Sequence, residues 1–289
     1  MANAISLVTK YQPLLDEVYK EASLTGDLEN SQVKFDNTKT VKILKLQVPD
    51  LGDYSRNSGF TAGDVTAEWE SWTLSEDRGK EFSIDAMDNE ETLDMTFGKA
   101  SSEFIRTKVT PEVDMYRFAK LAQTAGVTKI GAALADGAAY ESAIVAGETA
   151  LDEAEVPKEG RILYITPTGL RQLQSEFAKR FVNKTDITNR QFSEFDGMKI
   201  IAVPQSRFVD KITKNELTKV YAKAEDGKNI NFMIVAPSAV EAVAKHVKLR
   251  VFEPDVNQTQ DAYKFQYRIY HDIFVYENKV AGVYVHTEA

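Results

Sequence analysis

Both tryptophans of this chain, Trp69 and Trp72, fall in one acidic stretch, TAEWESWTLSEDRGKEFSID (66–85). Glu68, Glu70, Glu76, Asp77, Glu81 and Asp85 surround them. Over residues 50–85, nine acids (50, 53, 64, 68, 70, 76, 77, 81, 85) stand against three bases (56, 78, 80). That balance of −6 is most of the charge of a chain whose net charge is −9. A private core is hard to build in such a segment, so the two largest side chains need cover from elsewhere. Residues three apart on a strand face opposite sides, so Trp69 and Trp72 need different cover.

Three strands account for this region. TVKILKLQVP (40–49) reads as a strand with Val41 and Ile43 on one face and Leu46 and Val48 on the other. The phase slips at Leu44–Lys45, which predicts a bulge or a strong twist. DLGDYSRNSGFTAGD (50–64) is a polar, Gly-containing tip without a period. TAEWESWTL resumes as a strand, and KEFSID alternates Phe82 and Ile84 with polar residues. Residues 38–85 therefore read as a long hairpin with a third strand behind it.

Upstream, Leu7, Tyr11, Leu14, Leu15, Val18 and Tyr19 form a helical stripe over 5–22, either packed on its own domain or reaching a neighbour. Downstream, residues 90–108 read as a helix. Thr110-Pro111-Glu112 then reads as a fresh helix start, with Thr as N-cap and Pro in the first turn. The two make a long, slightly broken rod, either an organising spine or a pair of ordinary core helices. KIGAALADGAA (129–139) is small-residue and hinge-like, and a helix starts near Asp136. RILYITPTGLRQLQSEF and NFMIVAPSAVEAVAKH share one grammar, an apolar strand, a Pro, then a helix. Between them, FDGMKIIAVP carries an Asp-Gly turn before a strand. The closing segment is strand-rich, with Tyr263, Phe265, Tyr267, Ile269, Ile273 and Val275 in one phase, and it is expected to return to the rod's sheet.

The totals narrow the function. The chain has 289 residues at 43% hydrophobic content, ample for one elaborate domain or two modest ones. A pI near 5.1 opposes tight binding to nucleic acid or anionic lipid. There is no cysteine, which excludes disulfides and thiolate chemistry. The first twenty residues lack a signal-type apolar core, and no apolar run reaches the roughly 20 residues of a membrane helix, so a soluble protein is expected. The histidines, 246, 271 and 286, are scattered without metal-ligand spacing. His271 reads as a surface or interface residue. DVNQTQD (255–261) faintly echoes a calcium loop but lacks its glycine and final acid. No phosphate loop and no G-x-S-x-G is present. No catalytic residues, metal or cofactor are expected.

The order of parts, with DRGKEFSIDAMDNEET (77–92), TPEVDMYRFAKLA (110–122) and DGMKIIAVPQSRF (196–208), resembles the tailed-bacteriophage major capsid protein. That is the Hong-Kong-97-type fold, shared with bacterial encapsulin shells. The resemblance covers essentially the whole chain and implies an α+β fold. Its parts would be an N-terminal arm (1–37), an extended loop (38–85), a peripheral domain with spine helix (86–139 and 248–289) and an axial domain (140–247). It implies a structural protein that self-assembles as hexamers and pentamers into an icosahedral shell around double-stranded DNA, in the virion, after assembly in the bacterial host cytoplasm. Partners would be further copies of itself, a separate scaffolding protein, a portal and a decoration protein, with DNA held weakly and no membrane contact. A neighbour would cover the loop, making Trp69, Trp72, Glu68, Glu70, Tyr54 and Arg56 interface residues, with packing on the chain's own spine as the plainer reading for one of the two tryptophans. The acids would meet bases of an adjacent spine, chosen from Lys99, Arg106, Lys108, Arg117 and Lys120, with Arg106 and Lys108 foremost. Two other readings stand beside this one: an encapsulin-like protein-cargo shell, and a soluble two-domain α/β enzyme or ligand-binding protein.

Overall fold

A helical rod joins two sheets. The computed structural model describes residues 23–29, 40–57, 59–87, 95–180, 193–245, 247–257 and 260–289. The helical stripe expected over 5–22, and His246, lie outside them.

The rod consists of α1 (Met95–Phe104), a π-helical turn (Ile105–Val109) and α2 (Thr110–Gln123). Val109 and Thr110 both keep right-handed helical dihedrals, so the expected N-cap at Thr110 is not one. The Thr110 N–H donates to the carbonyl of Ile105, five residues back, and its Oγ1 donates to the same carbonyl at 3.1 Å. Pro111 is the physical cause. It has no N–H, and its ring crowds the carbonyl four residues before it; one wide turn moves the ladder aside and lets the helix continue.

The rod serves both sheets. Ile105, Val109 and Val113 share a cluster with Leu249, Val251, Phe265, Tyr267 and Ile269 of the smaller sheet. Further along, Phe118, Leu121 and Ala122 share a cluster with Ile162, Tyr164, Met233 and Val235 of the larger one. α2 is consequently buried on nearly all sides, as a helix between two layers must be.

The larger sheet has six strands in the order β4 (Thr128–Gly131), β14 (Val283–Thr287), β10 (Ile230–Val235), β5 (Ile162–Ile165), β7 (Met198–Ala202) and β6 (Glu194–Phe195). Alternate residues of β5 and β10 face α2, and the others, Leu163, Ile165, Phe232 and Ile234, face α3 (Gly137–Glu153) and α4 (Pro167–Arg180). All four residues of β5 are buried, which explains its uninterrupted apolar sequence. Asp136 caps α3, accepting the Ala139 N–H at 2.9 Å. The Asp196-Gly197 turn between β6 and β7 has positive φ at both residues (46° and 79°), the conformation that this dipeptide favours.

The smaller sheet is built on β13 (Ala262–Val275), with β3 (Glu76–Asp85), β11 (Val240–Ala244) and β12 (Lys248–Phe252) paired to it. β3 runs along residues 262–271, β12 along 264–268 and β11 along 271–275. A small hairpin, β8 (Ile212–Lys214) with β9 (Tyr221–Lys223), stands apart from both. So does the long hairpin β1 (Thr40–Gln47) with β2 (Thr66–Thr73).

Several expectations change. β1 pairs with β2 in continuous register from Thr40↔Thr73 to Gln47↔Thr66, with no bulge. The third strand pairs with β13 rather than with the hairpin. VEAVA (240–244) is a strand, not a helix, because the free edge of β13 lies beside it and tertiary pairing outweighs helix propensity. Thr128–Gly131, in the supposed hinge, runs parallel to β14. The closing segment divides, with β12 and β13 in the smaller sheet and β14 in the larger.

Candidate subunit interface

The long hairpin is fastened at its root. Val41, Trp72 and Leu74 share a cluster with Val243 and Tyr270. The Trp72 ring stacks on Phe274 (centroids 4.8 Å) and tilts against Tyr276 (5.0 Å). Its indole N–H donates to Glu70 Oε1 at 2.6 Å. Trp72 is 7% exposed within a single chain, so the expectation that a neighbour covers it gives way: β11, β13 and the turn after β13 do so.

The chain leaves the hairpin through Leu74 and Ser75. The buried carboxylate of Asp272 accepts the Ser75 N–H at 2.9 Å and its Oγ at 3.0 Å. It also accepts Tyr116 OH at 3.0 Å and the Lys120 ammonium. Asp272 thereby ties the hairpin's exit, the rod and β13 together. Beyond the root, Lys45 pairs with Glu277 at 2.9 Å. That bond, with Glu70 and Glu68 nearby, holds the Lys45 pKa above the usual lysine value.

The two sets of alternate positions on the hairpin differ. Register places Val41, Ile43 and Lys45 opposite Trp72, Glu70 and Glu68. The alternate positions pair Leu44 with Trp69 and Leu46 with Ala67, without an acid among them. Trp69 is 64% exposed. Val48, Leu51, Tyr54, Phe60 and Val65 are exposed as well. Among the described residues, thirteen large hydrophobic side chains are exposed, and these six fall within residues 48–69. A tight turn closes the tip, where Ser55 and Gly59 exchange backbone hydrogen bonds. Tyr54 and Phe60 touch there (4.9 Å), and Arg56 is exposed beside them.

On the rod, Arg106 and Lys108 are exposed, and Arg106 pairs with Glu103 at 2.5 Å. Two other bases leave the expected patch. Lys120 is committed to Asp272. Arg117 is fully buried, donating to Thr25 Oγ1 at 2.9 Å and to Glu29 Oε1 at 2.6 Å. Its neighbour Asp114 accepts Thr25 Oγ1 (2.8 Å), the Leu24 N–H (3.2 Å) and Arg207 (3.2 Å). This junction pins residues 23–29 to the rod, and Glu29 bridges to Ala242 of β11. Sequence reasoning missed both carboxylate junctions. The available signal was charge at Asp114 and Arg117 inside a helix that is buried on nearly all sides.

His271 is buried, in correction of its surface assignment. It lies on the apolar phase of β13, with its ring edge-on to Tyr116 (5.4 Å). Burial, then the charges of Arg117, Arg78 and Lys120, hold its pKa down to about 3. Among the described residues, no group of three or more His, Asp or Glu side chains is placed to hold a metal ion, and no helix is long and apolar enough to cross a membrane.

No protein-family model matches the chain, and no curated protein matches its sequence. Solved structures do match. A structure of Mycobacterium phage Che8 is 15% identical over 91% of this chain and 90% of that chain, with a TM-score of 0.64. The capsid structure of the cyanophage P-SCSP1u is 14% identical over 93% and 88%, with a TM-score of 0.65. The chain has the phage capsid fold. A virus-like particle from Pyrococcus furiosus shares that fold at 14% identity, over 96% of this chain and 98% of that chain, with a TM-score of 0.56. The α+β reading and the resemblance to the capsid fold hold over the 91–96% of the chain that these structures cover.

Proposed function

We propose that the chain is a major capsid protein, a structural rather than catalytic protein. Its copies form hexamers and pentamers and close into an icosahedral shell around phage double-stranded DNA. The observation that carries this reading is the projecting hairpin, whose apolar side chains at 48–69 its own chain leaves in water. Exposed apolar side chains concentrated in one segment in this way point to an interaction site, and the shared fold supplies the context. The arm (1–37), the loop (38–85), the peripheral domain (86–139 and 248–289) and the axial domain (140–247) take the roles that the fold suggests. Trp69 and Tyr54 are the interface aromatics of the loop. Glu68, Glu70 and Arg56 are its charged interface residues, with Arg106 and Lys108 as the bases available on an adjacent rod. A scaffolding protein, a portal and a decoration protein are the expected partners. Packaged DNA is held weakly, since the chain is net acidic. Assembly takes place in the bacterial cytoplasm.

The test is sedimentation and electron microscopy of the expressed protein, alone and with a scaffolding protein. Closed hollow particles of megadalton size are expected. A protein that stays monomeric in every buffer and with scaffold present would sink the reading. The likeness to the Pyrococcus furiosus virus-like particle, which spans 98% of that chain, favours a second reading, an encapsulin-like shell. Purified particles that enclose one protein cargo and no DNA would establish that reading instead.

A further inference from the structure

We propose that Lys248 and Arg250 guard the bare edge of β12, keeping it from pairing with the same edge of a second copy. β3 pairs with β13 from one side, and β11 and β12 pair with it from the other. β11 and β12 therefore form one edge, 240–252. Between Ala244↔His271 and Lys248↔Arg268 this edge has one residue more than β13, a bulge at 245–247. At its β11 end, Glu29 bridges to Ala242. Among the described residues, nothing pairs with the outer edge of β12. Such an edge offers N–H and C=O groups that template another strand. Apart from its two bases, KLRVF (248–252) has the apolar residues of a good strand.

Leu249 and Val251 are buried in the cluster against the rod, so Lys248 and Arg250 share the opposite, open face. Both are exposed. Lys248 stands directly opposite Arg268, and like charges so placed cost stability. The bases of β13 are compensated, Arg268 by Asp77 and Lys264 by Glu81 of β3. One strand further out, Lys248 and Arg250 have no ion-pair partner among the described residues. What they face beyond the edge gives them a use. In antiparallel registers centred on Lys248, Leu249 or Arg250, two copies of β12 bring base directly against base on one face. A slip of one residue escapes this only by turning Leu249 and Val251 of one copy to the open face. The acids of β3 are engaged within their own chain and offer no easy substitute. The guard belongs to the free subunit, beyond the shell reading, and holds whether or not copies close into particles.

The experiment measures self-association of unassembled subunits at low salt by sedimentation, with amide hydrogen exchange locating the contact. Lys248→Thr with Arg250→Thr removes both charges and leaves strand formers in their place. This variant should associate at about tenfold lower concentration than the parent, the scale of two or three relieved like-charge contacts. Exchange at 248–252 should slow in the associated species. The chain is net acidic, so losing two bases raises its overall charge, and a gain in association has to be local. Arg171→Gln with Lys179→Gln removes the same charge from exposed positions on α4 and should leave association unchanged. Lys248→Glu with Arg250→Glu should stay dispersed alone, because acid then meets acid, and should pair when mixed with the parent. Thermal melts check that each variant is folded. The proposal is overturned if the threonine variant stays as dispersed as the parent, or if the α4 variant associates equally. It is also overturned if association leaves exchange at 248–252 as fast as in the free subunit, or if the charge-reversed variant and the parent do not pair.

Discussion

Trp72 and Trp69 sit three residues apart and should answer mutation in opposite ways. Trp72 is sealed by Phe274, Tyr276 and Val41 of its own chain. Trp72→Ala should cost the isolated subunit about 3–5 kcal/mol, the usual loss on emptying a large aromatic site, seen as a lower urea midpoint. Trp69→Ala should change the unfolding free energy by less than about 0.5 kcal/mol, as surface changes do, and reduce particle yield instead. A large folding loss from Trp69→Ala would place it in the core and remove it from the interface. His271 adds a pH dependence with a definite sign. Its folded pKa of about 3 lies below the ordinary histidine value of 6.5. In acid the unfolded chain takes up a proton that the folded chain refuses. Its contribution to stability is therefore complete above about pH 6.5 and is lost as pH falls toward 3, by at most about 1.4 kcal/mol per pH unit. Buried His286, also held below its ordinary value by burial, acts with the same sign. His271→Phe should flatten the acid limb of a plot of urea stability against pH. Identical slopes in the two proteins would show that His271 takes up its proton as readily in the fold as in the unfolded chain.

Among the elements, the rod shows how local rules bend without breaking. A proline in a regular helix interior costs roughly 3 kcal/mol, yet Pro111 sits inside a continuous helix because the turn Ile105–Val109 has widened around it. Pro111→Ala should therefore return less than about 1 kcal/mol in urea melts; a gain near 3 kcal/mol would mean that the proline is still strained. The same place shows what a sequence can and cannot disclose. Thr-Pro-Glu carries the chemistry of a helix start, and nothing local says that the preceding helix supplies a π-turn. VEAVA (240–244) fails for a related reason, since only the position of β13 decides between helix and strand. Where pattern and packing agree, the reading holds. β2 alternates, so Trp72 turns in and Trp69 turns out. β5 is apolar throughout because both its faces are covered, and Asp-Gly at 196–197 makes the turn its residue types favour. Of the exposed hairpin, Trp69 and the tip were legible, whereas Trp72, expected under a neighbour, is covered by its own chain. The Asp272 and Asp114 junctions were not legible, because the donors that tie them to other elements lie 89 to 197 residues away in sequence and one bond at each comes from a backbone N–H.

For the whole molecule, β13 sets the layout. The hairpin root stacks on Phe274 near one end of it. At the other end, β3 finishes beside Ala262, and Met87 (69%) and Val256 (49%) are exposed there. At about 3.3 Å per residue the two ends lie about 40 Å apart. If the hairpin of one copy covers the far end of the next, cysteines at Ala67 and Met87, joined by a short bismaleimide, should give ladders of linked chains. The single-cysteine proteins should give none. Cross-linking confined to within one chain would rule this docking out. Placing exposed apolar side chains of the hairpin near one end of a strand and exposed Met87 and Val256 near the other has a consequence for growth under this docking. A pair of copies joined this way hides one patch and still presents another, so the pair is as sticky as the single subunit. Addition ends only when the last hairpin meets the first free end. A ring that misses its closure becomes an open filament, and no small intermediate is a comfortable place to stop.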